Sequence, residues 1–117
     1  MTLGEKQRTF TRLVGLLIAH AYWLGYELSF GDAFRSPAQA AANAAAGIGI
    51  KNSLHTQRLA VDFNLFKDGA FLSDSADHEP LGEFWESLSG PGYTCCWGGR
   101  FSKPDGNHYS IEHEGRK

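Results

Sequence analysis

Leu59-Ala-Val-Asp-Phe-Asn-Leu-Phe66, followed by Lys67-Asp-Gly69, is the stretch that decides how this chain folds. Leu59, Val61, Phe63 and Leu65 alternate with Ala60, Asp62, Asn64 and Phe66. That period of two is the signature of a β-strand with one buried face. Asp62 falls on the face opposite the apolar set, and a carboxylate inside an otherwise apolar strand requires a partner. Lys67-Asp-Gly69 is a hairpin signal, which makes Ala70 to Leu72 a short return strand.

Working outward, the upstream half is helical on both sides of a second strand. From about Glu5 to Gly25, Phe10, Leu13, Val14, Leu17, Ile18 and Ala21 recur at helical spacing and predict an amphipathic helix. Tyr26-Glu-Leu-Ser-Phe30 alternates as a strand. Ser36 is then an N-cap, with Pro37 at the first helical position and Gln39 completing a capping box. The alanine-rich helix that follows stops at Gly47, and Ile48 to Gln57 reads as a polar loop. Downstream, residues Asp74 to Pro80 read as loop and Leu81 to Leu88 as a helix burying Phe84, Trp85 and Leu88. Gly90-Pro-Gly92 and Trp97-Gly-Gly99 read as loops. His108, Ser110 and Glu112 alternate with Tyr109, Ile111 and His113 in a last strand. Helices mixed with hairpin-connected strands predict an α+β fold, a mainly antiparallel sheet flanked by helices.

The bulk properties narrow the class. A chain of 117 residues, spanning 1–117 as a single domain, has room for one core but not for a second module. Its 42% apolar and 21% charged residues are those of a globular protein. A net charge of −2 without a basic run disfavours nucleic acid as the partner. The apolar stretch from Leu13 to Leu24 is interrupted by Gly15 and His20 and is too short for a membrane span. It lacks a small-residue cleavage site, so the chain is expected to be made in the cytoplasm without a signal peptide. Cys95 and Cys96 are adjacent, which disfavours a disulfide and predicts free thiols.

Chemistry-bearing residues gather in two stretches, Ser53 to Asp62 and Pro104 to Glu112. His55, Asp62 and His108 match the two imidazoles and one carboxylate that hold a catalytic zinc while leaving a position open. Asp105 supplies a second carboxylate, the group that accepts a proton from an attacking water in metal-assisted hydrolysis. Arg35 is a candidate to polarise the carbonyl under attack. His55 lies seven residues before Asp62, so a straight strand would put them on opposite faces. It must reach the metal from the loop or from a bend around Gln57-Arg58. His113 falls on the strand face opposite His108, and His20 and His78 read as structural or solvated.

With these residues in place, the chain resembles the zinc peptidase family of D-alanyl-D-alanine carboxypeptidases and phage endolysins, the short phage-type members above all. The family's arginine element is matched by Phe34-Arg35-Ser-Pro-Ala-Gln39. Its Ser-x-His block with a trailing Ala-x-Asp is matched by Ser53 to Asp62. Its acid-x-x-His block is matched by Asp105 to His108, with Trp97-Gly-Gly-Arg100 before it. The resemblance runs from about Gly25 to His113. It implies a hedgehog/DD-peptidase-like fold, zinc held by His55, Asp62 and His108, Asp105 as catalytic base, Arg35 at the carbonyl, and Ser53 in contact with substrate. The implied partner is the stem peptide of peptidoglycan, cut at L-alanyl–D-glutamate as by endolysins or at D-alanyl–D-alanine as by carboxypeptidases.

Two departures stand out. Arg58 occupies a position where many relatives have glycine, which makes it a candidate contact for a substrate carboxylate. Gly106-Asn107 replaces bulkier residues between base and last histidine. An aspartate base favours the endolysin type. The competing expectations are a carboxypeptidase or dipeptidase trimming free stem peptides, and a non-catalytic zinc-stabilised module that binds wall fragments. A nuclease is disfavoured by the acidic balance. The enzyme is expected to be a monomer acting at the cell wall or periplasm after release.

Overall fold

The computed structural model describes residues 1–50 and 52–117; Lys51, within the stretch read as a loop, lies outside them. The chain runs through helix α1 (Leu3–Trp23), strand β1 (Glu27–Phe30), helix α2 (Pro37–Ala45), strands β2 (Ala60–Lys67) and β3 (Ala70–Leu72), helix α3 (Glu79–Ser87), and strands β4 (Cys95–Trp97) and β5 (His108–Ile111). It is the α+β arrangement expected: every strand pairing is antiparallel, and the sheet order is β1-β2-β5-β4 with β3 against the far end of β2.

Local chemistry sets the ends of these elements. At the start of α1, Thr2 and Glu5 form a reciprocal capping box. At its end, Gly25 takes a left-handed φ of 92°, and the amide of Tyr26 reaches back to the carbonyl of Ala21 at 3.0 Å. Helix α2 starts where expected, with the Ser36 hydroxyl accepting from the Gln39 amide. The other half of the expected capping box is replaced, because the Gln39 side chain donates to Asn43 instead. Asp68 and Gly69, both at positive φ, make the tight turn between β2 and β3.

One core lies between the sheet and helices α1 and α3. Helix α1 presents Phe10, Leu13, Leu17 and Ala21 as a buried stripe, each large member contributing roughly 1.5–3 kcal/mol. The Trp85 ring meets Phe10 and Tyr109 edge-on, and its indole N–H donates to the Ser110 carbonyl at 3.0 Å. Phe84 and Leu88, expected to be buried with Trp85, are only half-buried at the rim of this cluster.

Three stretches read as loop are corrected. The stretch read as loop around Trp97 contains strand β4, which pairs with β5 and covers it, so that all four β5 residues are buried. The loop read from Ile48 to Gln57 contains a 3-10 helix, Leu54–Gln57. The stretch read as loop from Asp74 to Pro80 contains a 3-10 helix, Ser75–His78, and the first residues of α3. His78 proves structural: it is buried, and its Nδ1 lies 2.8 Å from the Tyr109 hydroxyl.

Candidate metal centre

Asp62 and His108 are direct partners across the β2–β5 pairing. Opposed residues of an antiparallel pair project from the same face. The alternation that buries Val61, Phe63, Tyr109 and Ile111 in the core therefore carries Asp62 and His108 together to the other side. His55 arrives from the 3-10 helix before β2. The helix ends at Arg58, which adopts left-handed φ 56°, ψ 36° and turns the chain into the strand. This is the bend the seven-residue spacing demanded.

The result is a compact group of three ligand-capable atoms, all within 4.8 Å of one another. Asp62 Oδ1 lies 3.4 Å from His55 Nε2 and 3.4 Å from His108 Nδ1. Two ligands of one tetrahedral zinc, each bound at about 2.0–2.1 Å, sit about 3.4 Å apart. Asp62 Oδ1 is buried and has no hydrogen-bond partner. A carboxylate oxygen in that state is costly unless a cation faces it, so the donor set fits a metal ion.

Backbone groups hold the ligands in place. His55 Nδ1 sits 3.0 Å from the Ala33 carbonyl; an N–H donated there leaves the Nε2 lone pair facing the site. The chain beyond β1 runs on alongside Asp62, with the Gly31 amide donating to the Asp62 carbonyl at 2.8 Å. The Asp62 amide donates in turn to the Asp32 carbonyl at 2.7 Å. A side chain at residue 31 would crowd Asp62, and glycine permits this approach. On the other side, the His108 amide donates to the Asp105 carbonyl, and the Asp105 amide donates to the Gly98 carbonyl. A Cβ at Gly98 would collide with both Asp105 and His108. The Trp97-Gly-Gly-Arg100 segment is thus the mould against which the Asp105–His108 turn is cast.

The electrostatics follow from the crowding. Burial pushes the Asp62 carboxyl up, but the imidazoles of His108 and His55 outweigh it and bring its pKa down to about 2. Burial pulls His55 down, yet Asp62 and the Ala33 carbonyl leave its pKa raised. Asp105 has its pKa raised, first by loss of solvation; His108 opposes this and Asp62 adds to it.

A cleft of about 360 Å³ opens over the group. Arg35, Ser53, His55, Asp62, Asp105 and His108 all line it, so the structure brings together six of the seven residues proposed from sequence. Arg35 is anchored by its amide to the His55 carbonyl and by Nη2 to Asp32 at 2.6 Å, and its Nε is buried without a partner. The Ser53 hydroxyl caps the 3-10 helix by accepting from the His55 amide at 3.2 Å. Arg58 stands apart from the cleft lining, with its guanidinium 4.1 Å above the Phe34 ring. Sequence reasoning missed Phe101, whose ring packs against His108, and the lining residues Arg116 and Lys117.

No protein-family model matches the chain, and no curated protein matches it. Among solved structures, the fold is similar to that of the L-Ala D-Glu endopeptidase ChiX of Serratia marcescens. The TM-score is 0.70 at 19% sequence identity, over 93% of this chain and 85% of that one. At that identity, the likeness is one of architecture.

Proposed function

We propose that the chain is a zinc-dependent peptidase of peptidoglycan stem peptides, cutting at L-alanyl–D-glutamate in the manner of an endolysin. The observation that carries this reading is the convergence of His55 Nε2, Asp62 Oδ1 and His108 Nδ1 at metal-ligand spacing, in a cleft that also holds Asp105 and Arg35. The shared architecture with an L-Ala D-Glu endopeptidase supports the choice of bond.

A zinc ion held by His55, Asp62 and His108 would supply Lewis acidity, bringing the pKa of water near 7 and polarising a carbonyl. The protein's own groups do the rest. Arg35 donates from its guanidinium to the carbonyl oxygen as negative charge develops there. Asp105, at the cleft rim beside His108, takes the proton of the attacking water on its carboxylate. The new C–O bond forms as the amide C–N bond breaks, and Asp105 returns the proton to the departing amine. The Ser53 hydroxyl hydrogen remains free to contact the peptide while its oxygen caps the 3-10 helix. No helix among the described residues is long and apolar enough to cross a membrane, and the substrate is met at the cell wall after release from the cytoplasm.

Mass spectrometry of muropeptides digested with the zinc-loaded protein tests the reading. Release at L-alanine is the expected result. Loss of a terminal D-alanine would make the enzyme a carboxypeptidase, and retained binding without turnover would make it a wall-binding module.

A further inference from the structure

Beyond β5 the chain reverses sharply. His113 and Arg116 pair through both backbone hydrogen bonds, at 3.0 and 2.9 Å. The two residues between them, Glu114 and Gly115, have φ of 51° and 75°. This is the two-residue turn that folds a strand back on itself. It brings Arg116 and Lys117 into the lining of the cleft described above, together with Asp105 and Ser53. Arg116 is fastened there, because its Nη1 donates to the Asn52 carbonyl at 2.9 Å. Lys117 is exposed. The chain carries a net charge of −2, yet this lip presents two cationic side chains, with one exposed carboxylate, Glu114, 3.8 Å from Arg116 Nη2.

From this arrangement we infer that Arg116 and Lys117 form a carboxylate-recognising lip that selects peptides bearing a free carboxylate next to the scissile bond. The inference deepens the proposed function and rests on its claim that acidic stem peptides enter the cleft. The Arg116 guanidinium is held through Nη1 by the Asn52 carbonyl and stands 3.8 Å through Nη2 from the exposed Glu114 carboxylate, a loose surface pair that a better-placed oxygen acceptor can displace. A lysine beside it adds attraction without fixed geometry. D-Glutamate, the residue after an L-alanyl–D-glutamate bond, necessarily brings such a carboxylate.

The experiment compares two peptides, one containing L-alanyl–D-glutamate and one in which the free carboxylate is an amide. Binding is measured by titration calorimetry at low salt on the zinc-loaded Asp105→Asn protein, and turnover on the wild type. The acidic peptide is expected to bind about fivefold more tightly, as two partly exposed charge contacts allow, and to lose that margin in high salt. Arg116→Gln with Lys117→Gln abolishes the preference, and the loss appears in KM for the acidic peptide. Arg116→Lys keeps most of it. A preference that survives the double substitution, equal weakening toward both peptides, or no preference in the parent protein overturns the inference. A binding preference without turnover leaves the lip standing and sinks the peptidase reading instead.

Discussion

Asp62 and His108 face each other across β2 and β5, with Asp62 Oδ1 3.4 Å from His108 Nδ1 and equally far from His55 Nε2. One oxygen thus stands between two imidazoles, buried and without a hydrogen bond. A metal ion held there would couple its affinity to fold stability through that oxygen, since the ligands exist as a set only in the folded chain.

Zinc is therefore expected at one equivalent per chain, and chelation should lower the melting temperature. At a zinc concentration one hundred times Kd, the linkage is worth about 2.7 kcal/mol, or roughly 10 °C for a domain of this size. Calorimetry with and without chelator checks this. An unchanged melting temperature, with metal analysis showing no zinc, would remove the centre.

In the metal-free protein the Asp62 and His55 contributions to stability should be lost at opposite ends of the pH range. Asp62 has a depressed pKa, so its contribution is present above the ordinary carboxylate value of 3.8 and is lost as pH falls toward 2. His55 has a raised pKa, so its contribution is complete below 6.5 and is lost as pH rises through the raised value. Urea unfolding in chelator, compared with Asp62→Asn and His55→Gln variants, should show the Asp62 contribution disappearing below about pH 4 and the His55 contribution disappearing above about pH 6.5. With zinc present, the fall above pH 6.5 should vanish, because neutral imidazoles are what the metal needs.

Asp105→Asn should reduce kcat by about 10²- to 10⁴-fold while zinc still binds at one equivalent. The base works deprotonated and its pKa is raised. A divalent cation beside it would pull that pKa back down, so the acidic limb of kcat/KM in the zinc-loaded wild type should lie below the position that the metal-free carboxylate implies. Stopped assays across pH test both statements, and an active Asp105→Asn protein would exclude this residue as base.

Arg58→Gly should leave activity within about twofold and stability within about 1 kcal/mol. The left-handed backbone at φ 56° suits glycine by about 1 kcal/mol, offset by unfolded-state entropy and by loss of the guanidinium–Phe34 contact. A tenfold rise in KM would identify Arg58 as a substrate contact.

Gly98→Ala should be damaging out of proportion to its size. The added methyl meets the Asp105 carbonyl and His108 Cβ, an overpacking worth about 1–3 kcal/mol or more. Zinc titration of the variant should show weaker binding as well as a lower melting temperature.

Much of this centre is legible in the chain because alternation reports faces. Asp62 stands out as the charge on the polar side of an apolar strand, and His108 repeats the pattern. His55 is legible through its spacing, which rules out a straight strand and leaves a bend. What escapes is carried by main-chain atoms or by close approach. The Ala33 carbonyl that faces His55, the Asp32 carbonyl under Asp62 and the Gly98 contact leave no side-chain signature. Strand β4 escapes because three residues, followed directly by two glycines, are too few for a period to show. Arg116 and Lys117 escape because a turn of two residues, not a motif, returns them to the cleft.

Strand β5 belongs to two environments at once. Tyr109 and Ile111 are fully buried against Trp85 and its neighbours, while His108 lies on the opposite side beside Asp62. A displacement of a few tenths of an ångström beneath the sheet is therefore transmitted to a ligand above it. Libraries seeking altered rate or metal preference have productive positions at Phe10, Trp85 and Tyr109, where no chemistry occurs, as well as around the cleft.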